Sequence, residues 1–185
     1  MVKKVKKKVA RSLSSSMRSL YIGLDNGVSS QGVGLIYSDG RVLYPKVPTI
    51  FQQDYTKAKK NVTRIDGPKL LHLLGKTLEN LSPQEAIATV ERPMVNPKRF
   101  GATASALRCH EATLIVLESL GIPYQFIDSK EWQREMLPKG LKGPDLLKKA
   151  SYDIGKRLFP QLVDKQKDAD SLLIAEYVRR REQYR

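Results

Sequence analysis

Residues 20–37 read LYIGLDNGVSSQGVGLIY, and this stretch decides the fold class. Two short apolar runs, at 20–24 and 33–37, flank a segment rich in glycine and serine, a pattern typical of two strands joined by a turn. The next four residues, SDGR, contain the Asp-Gly dipeptide favoured in hairpins, and they lead into VLYPKV at 42–47. We therefore predict three consecutive strands in an antiparallel meander.

After the meander, short apolar strands alternate with helical patterns. Residues 48–66 are polar and basic and are predicted to form a loop that leads into a leucine-rich helix from Pro68. Two further strands are predicted at AIATVE and IPYQFID, with a long helix between them that Gly121 closes. Helices are also predicted at 128–137, 145–159 and 168–181. This order predicts an α/β fold with a mixed five-stranded sheet, three antiparallel meander strands plus two parallel ones, and helices on both faces.

The net charge is the property that departs most from a typical globular chain. The 185 residues hold 33 Lys and Arg against 19 Asp and Glu, which gives +14, whereas the hydrophobic content of 41% is ordinary. A charge of this sign favours a polyanionic partner. No apolar run approaches the roughly 18 residues of a membrane span, so no membrane partner is expected. The single cysteine, Cys109, excludes an intrachain disulfide and fits a reducing, cytoplasmic location.

Residues 1–19 are predicted to lie outside the fold, which leaves 20–185 as one domain. The segment VKKVKKKVARSLSSSMRSL is basic, rich in serine and free of acidic residues. One interpretation is a disordered basic arm that adds phosphate contacts. The alternative is a mitochondrial or plastid presequence, against which the predominance of lysine over arginine argues.

Two acidic residues end two apolar strands. Asp25 follows the first strand and precedes Gly27, so that a ligand could approach closely, although Asp-Asn-Gly is also a common turn. Glu91 closes the AIATVE strand directly before Arg92-Pro93, and its alternative is a solvated glutamate at a loop. Burial of an unpaired carboxylate costs several kcal/mol, so two such acids favour a functional site.

Asp170 is the third candidate. A rotation of about 100° per residue places it within about 60° of Leu173, Ile174 and Tyr177, on the stripe expected to pack on the sheet. A shared divalent cation would compensate its charge, and hard carboxylate oxygens suit Mg²⁺ or Mn²⁺. Asp168 is interpreted either as the N-cap of this helix or as a further metal ligand. Lys167 is a candidate contact to the scissile phosphate, or simply a solvated lysine.

The segments IGLDNGVSSQGVGLI, ATVERP, YQFIDSKEWQ and KDADSLLIAEY resemble the RuvC family of Holliday-junction resolvases, and within it the shorter phage and prophage relatives. The resemblance spans about residues 20–180. It implies an RNase H-like fold, a homodimer, two Mg²⁺ ions and paired nicks across a four-way DNA junction, in a bacterial or phage-infected cell. It places metal ligands at Asp25, Glu91 and Asp170. The family's usual fourth ligand, Asp or His, falls at Lys167, so Asp168 or a water is expected to substitute.

The loop after Glu91 corresponds to the part of RuvC-like enzymes that engages the junction. Phe100, beside Lys98 and Arg99, is interpreted either as a stacking surface for an unpaired base or as a core anchor for the following helix. Lys139, Lys142 and Lys148 are predicted to extend the phosphate track, and the alternative for each is a solvated charged face. Trp132 is interpreted as a core residue. The long helix carries apolar residues on more than one side, which fits a dimer interface or a central buried helix.

Three other functions are compatible with parts of the sequence. An ATP-binding module of the actin and Hsp70 type also has an Asp-x-Gly turn after a strand, but it needs two lobes and a longer chain. A nuclease with this fold could instead act on flaps, replication forks or RNA–DNA hybrids. A catalytically inactive DNA-binding protein is the third alternative, and no small-molecule cofactor is expected.

Overall fold

The computed structural model describes residues 18–25, 27, 32–54, 61–163 and 168–184. A five-stranded sheet forms its centre, and two strands outside this sheet pair with each other. In chain order the strands are β1 (Leu20–Leu24), β2 (Gly34–Tyr37), β3 (Val42–Leu43), β4 (Thr49–Gln53), β5 (Asn61–Ile65), β6 (Ala86–Glu91) and β7 (Tyr124–Ile127).

The central sheet has the order β3-β2-β1-β6-β7. The first three strands pair antiparallel, whereas β6 runs parallel to β1 and β7 runs parallel to β6. The turn at residues 38–40 carries Gly40 at φ 91, a left-handed conformation that glycine adopts without steric cost. The predicted mixed sheet of three meander strands and two parallel strands is confirmed.

The prediction of a loop over residues 48–66 was wrong. Strands β4 and β5 form a separate antiparallel hairpin, with Thr49 opposite Ile65 and Gln53 opposite Asn61. Most of its side chains are exposed or half-buried, Phe51 among them. Because neither face of the hairpin is fully buried, its sequence lacks the apolar alternation from which a strand is predicted.

The helices lie on both faces of the sheet, as predicted. They are α1 (Gly67–Leu78), α2 (Phe100–Ser119), α3 (Ser129–Met136), α4 (Pro144–Leu158), the short α5 (Pro160–Val163) and α6 (Asp170–Gln183). One core joins alternate β1 residues Leu20, Ile22 and Leu24 to α1 and α2. A second core joins Tyr21 on the opposite face to α3, α4 and α6.

Helix α6 lies unusually close to the sheet at a pair of glycines. Gly23 and Gly34 are opposite each other in β1 and β2, and a Cβ atom on either would lie 1.9 or 2.4 Å from the carbonyl oxygen of Ser171. Only glycine therefore permits this approach. It brings the first turn of α6 directly onto the carboxyl end of β1.

The predicted arm falls almost entirely outside the described residues. Arg18 and Ser19 are described, and the Ser19 backbone N–H donates to the Glu85 carbonyl at 2.8 Å, which ties it to the turn before β6. None of the helices in the described part of the chain combines the length and the hydrophobicity that a bilayer crossing requires.

Candidate active site

Asp25 and Glu91 leave the central sheet side by side. In the parallel pair of β1 and β6, Leu24 lies opposite Val90, and the next residue along each chain is Asp25 or Glu91. Because both strands run in the same direction, the two carboxylates reach the same edge of the sheet. This is the position at which open α/β sheets bind ligands.

Asp170 reaches the same place from helix α6. It is the first residue of α6, and Asp25, Glu91, Asp168 and Asp170 all line one cleft of about 370 Å³. We call this the carboxylate cleft. The structure thus brings to one cleft the three acids predicted from separate segments and Asp168, the candidate fourth ligand.

Burial and charge shape the ionisation of Glu91. Desolvation, the neighbouring Asp25 and, more weakly, Asp170 raise the pKa of the Glu91 carboxyl to about 8. One hydrogen bond opposes this rise, because the indole N–H of Trp132 donates to Glu91 Oε2 at 2.9 Å. Trp132 is fully buried, which confirms the prediction that it is a core residue, and it also orients one oxygen of Glu91.

Asp170 shows the same effects more weakly. Burial and the nearby Asp168 raise the pKa of the Asp170 carboxyl to about 6, whereas a hydrogen bond from Ser151 Oγ to Oδ1 and the charge of Lys148 oppose the rise. Ser151 and Lys148 lie one turn apart on α4, on the side that packs on α6. Helix α4 therefore supplies both groups that favour ionised Asp170.

Asp168 is not the N-cap of α6. The helix begins at Asp170 and its N-cap is Ala169, so the capping interpretation of Asp168 was wrong. Asp168 is buried and belongs to the carboxylate cleft, and its backbone carbonyl accepts a 3.2 Å hydrogen bond from the Tyr44 hydroxyl. Burial is the main cause that raises the pKa of the Tyr44 hydroxyl, and the charges of Asp168, Asp170 and Asp25 add to the rise.

The carboxylates share a cleft without forming a ready-made metal site. Over the described residues, no three His, Cys, Asp and Glu side chains are gathered closely enough to hold an ion. Like charges repel at short range, and a cation would supply the attraction that draws such side chains together. The donor chemistry fits Mg²⁺ or Mn²⁺, because these cations prefer oxygen ligands. The metal-ligand roles therefore stay predictions.

The predicted DNA-contacting residues lie on the surface around the cleft. Lys98 and Arg99 form a 3₁₀ turn before α2, and Arg99 lines the carboxylate cleft. Phe100 is 79% exposed, so its interpretation as a core anchor was wrong and the stacking interpretation stays a prediction. Lys139 and Lys142 are exposed on the α3–α4 connection. Lys167 lies outside the described residues.

Helix α2 buries one side only. Cys109, Val116 and Leu117 are in the core, whereas Leu107 and Ile115 are 44% and 54% exposed. The interpretation of α2 as a central helix buried on every side was therefore wrong. The predicted homodimer interface on this helix stays a prediction.

The sequence does not identify the residues that hydrogen-bond to the acids or lie beside them. The sequence indicates a core role alone for Trp132 and gives no signal that Ser151 binds Asp170. The sequence predicts a general phosphate-binding role for Lys148, whereas the structure places it in one cleft with Asp170. One signal was present on α4, where Ser151 and Gly155 are small residues four positions apart. A Cβ on Gly155 would lie 2.2 Å from that of Ala169, so this spacing marks the close contact with the segment before α6.

Comparisons with known proteins found remote similarities only. No protein-family model matches the chain, and no curated protein does. Among solved structures, the chain is similar to Thermus thermophilus RuvC in complex with a Holliday-junction substrate, at 13% identity and a TM-score of 0.48 over 85% of this chain and 90% of that one. A second Thermus thermophilus RuvC structure shares 12% identity at a TM-score of 0.45, over 85% of this chain and 92% of that one. Similarities of this size carry no argument about activity.

Proposed function

We propose that this chain is a Mg²⁺-dependent endodeoxyribonuclease that cuts four-way DNA junctions by paired phosphodiester hydrolysis. One observation carries the proposal: four acidic residues from three separate segments line one cleft, in a chain with a net charge of +14. Neighbouring carboxylates repel one another, and a bound cation would compensate their charge. The sequence resemblance to RuvC proteins supplies the class of substrate.

The residues of the cleft have distinct roles in this proposal. Asp25, Glu91 and Asp170 would hold the metal, with Asp168 as the fourth ligand. Two Mg²⁺ ions, for which Mn²⁺ would substitute, would activate a water and stabilise the leaving 3′ oxygen. Trp132 and Ser151 each bind one carboxylate oxygen, of Glu91 and Asp170 respectively, so each acid keeps a second oxygen for a cation.

Basic residues around the cleft would position the DNA. Lys148 and Arg99 line the carboxylate cleft. In this proposal they would contact the phosphates on either side of the cut bond. Lys98 and Phe100 next to Arg99 would engage the strand exchange point, Phe100 by stacking on an unpaired base. Lys139 and Lys142 would extend the phosphate track. Paired nicks require two cleavage sites, so we propose a homodimer.

A substrate panel tests the proposal. Synthetic four-way, three-way, flap and RNA–DNA hybrid substrates are incubated with the protein and Mg²⁺ or Mn²⁺, and products are mapped at nucleotide resolution. We expect symmetric nicks in the four-way junction and weaker cutting elsewhere. Equal cutting of flaps or hybrids would show that the substrate class is broader than four-way junctions. Junction binding without cutting under either metal would support the inactive DNA-binding alternative.

A further inference from the structure

A second and larger cleft opens beside the carboxylate cleft. It has a volume of about 620 Å³ and is enclosed by α3, the start of α4 and the connection between them. We call it the α3–α4 cleft. Glu91, Lys148 and Asp170 line both clefts, so a ligand held at the acids can extend from one into the other. The volume lies in the range of about 300–1,000 Å³ that is typical of sites for small organic ligands.

The walls of the α3–α4 cleft combine two chemistries. Leu137 is buried, and Leu141 and Leu147 are half-buried, so its inner wall is apolar. Lys130, Arg134 and Lys139 are exposed at its margin, which is therefore positively charged. A ligand that fits both parts has an apolar body joined to an anion. A nucleotide has this composition, with its base against the leucines and its phosphates at the basic margin.

We propose that the α3–α4 cleft receives one nucleotide of the DNA substrate, turned out of the helix next to the bond that is cut. The proposal rests on the proposed function, because the acids shared by the two clefts place the reacting phosphate at their common wall. Extrusion of a base costs stacking and pairing energy, and the cost is lowest where the base is already unpaired. The cleft therefore gives this nuclease a physical reason to prefer branch points over continuous duplex.

Fluorescence of 2-aminopurine measures the extrusion without requiring cleavage. The base analogue is placed at successive positions around the exchange point of a four-way junction, and the wild-type protein is added with Ca²⁺ in place of Mg²⁺. Stacking quenches 2-aminopurine, so we expect emission to rise severalfold at one position and to stay level at the others. Level emission at every position of a bound junction would overturn the proposal.

Two neighbouring leucines of α4 offer a matched pair of variants. Leu147→Trp fills the cleft, whereas Leu146→Trp adds the same side chain at a position that is 53% exposed and does not line the cleft. We expect L147W to abolish the emission rise. We also expect it to slow junction cleavage at least about tenfold, because a misplaced substrate reacts more slowly. L146W should behave like the wild type in both assays. Mn²⁺ binding, measured by electron paramagnetic resonance without DNA, should be the same in both variants.

The outcomes separate this proposal from the proposed function. An emission rise without cleavage under Mg²⁺ or Mn²⁺ would keep the nucleotide site and overturn the nuclease assignment. Cleavage by the wild type without any emission rise would overturn the nucleotide site alone. An emission rise that persists in a folded L147W would also overturn it. If L147W fails to fold, the wild-type series with 2-aminopurine still decides.

Discussion

Replacement of Glu91 by glutamine should stabilise the metal-free protein at alkaline pH. Burial and Asp25 raise the pKa of the Glu91 carboxyl from 4.5 to about 8, so the folded protein holds this proton more tightly than the unfolded chain does. An acid with a raised pKa costs stability as the pH rises from its unfolded to its folded pKa, here between 4.5 and about 8. Glutamine keeps an oxygen that accepts the Trp132 hydrogen bond but carries no charge.

The magnitude follows from the size of the shift. One pKa unit corresponds to about 1.4 kcal/mol, so the shift of Glu91 sets a ceiling of about 5 kcal/mol above pH 8. The repulsion between Asp25 and Glu91 is shared by the two residues, and water that enters the open cleft weakens it further. We therefore expect Glu91→Gln to raise the free energy of unfolding by about 1–3 kcal/mol at pH 8. For a chain of this length that corresponds to a rise in Tm of roughly 3–10 °C.

The assay is thermal unfolding in EDTA at pH 5 and pH 8. At pH 5 the folded Glu91 is protonated and the unfolded Glu91 is only partly ionised, so the gain from E91Q should fall below about 1 kcal/mol and below its value at pH 8. Glu176→Gln is the matched control, because Glu176 is a glutamate whose pKa is lowered. Burial opposes the ionisation of Glu176, but hydrogen bonds at 2.7 Å from Arg179 and Arg180 outweigh this effect. E176Q should therefore lower the Tm at pH 8. A gain from E91Q that is absent at pH 8, or equal at both pH values, would refute the reasoning.

Three further predictions concern ligand binding. Trp132→Phe keeps an aromatic ring in the core but removes the N–H donor to Glu91. The Mn²⁺ concentration for half-maximal cleavage should therefore rise about tenfold. If that concentration does not change, Trp132 is a core residue only. Phe100→Ala should weaken junction binding by about 1–2 kcal/mol in a fluorescence-anisotropy titration, since it removes one stacking surface. Phe51→Ala, at a side chain just as exposed but on the β4–β5 hairpin, is its control, and equal losses would contradict the stacking role. Deletion of residues 1–17 should weaken junction binding and flatten its salt dependence by about one unit of slope for each phosphate that these residues neutralise, without stopping cleavage; an unchanged slope would show that these residues do not bind phosphate.

Strands β1, β2 and β6 could be predicted because nearly all of their residues are buried, and a turn also marks the hairpin after β2. Leu20–Leu24 is fully buried, and the Asp-Gly turn after Tyr37 requires the left-handed conformation found at Gly40. The hairpin of β4 and β5 could not be predicted in this way, since its pattern reflects half-exposed faces on both sides. Local periodicity reports burial, and it gives little signal where a strand pair stays near the surface.

Asp25 and Glu91 could be predicted from their positions at the ends of strands, but the residues that hydrogen-bond to the acids could not. Asp25 and Glu91 come directly after apolar runs, so parallel pairing alone brings them together. Ser151 reaches Asp170 only because Gly155 lets α4 approach Ala169, a contact between segments far apart in the chain. Asp168 was ambiguous because the start of α6 decides its role, and helix ends are the least certain feature of a sequence pattern.

The most direct test of the carboxylate cleft as the active site compares cleavage with binding in a single pair of variants. Asp25→Asn and Glu91→Gln are assayed on a labelled four-way junction, with cleavage measured in Mg²⁺ and binding measured by anisotropy in Ca²⁺. We expect both variants to lose cleavage by at least about a thousandfold, as removal of a metal ligand does, while they bind the junction as tightly as the wild type. Wild-type cleavage rates in either variant would contradict the assignment of the carboxylate cleft as the active site.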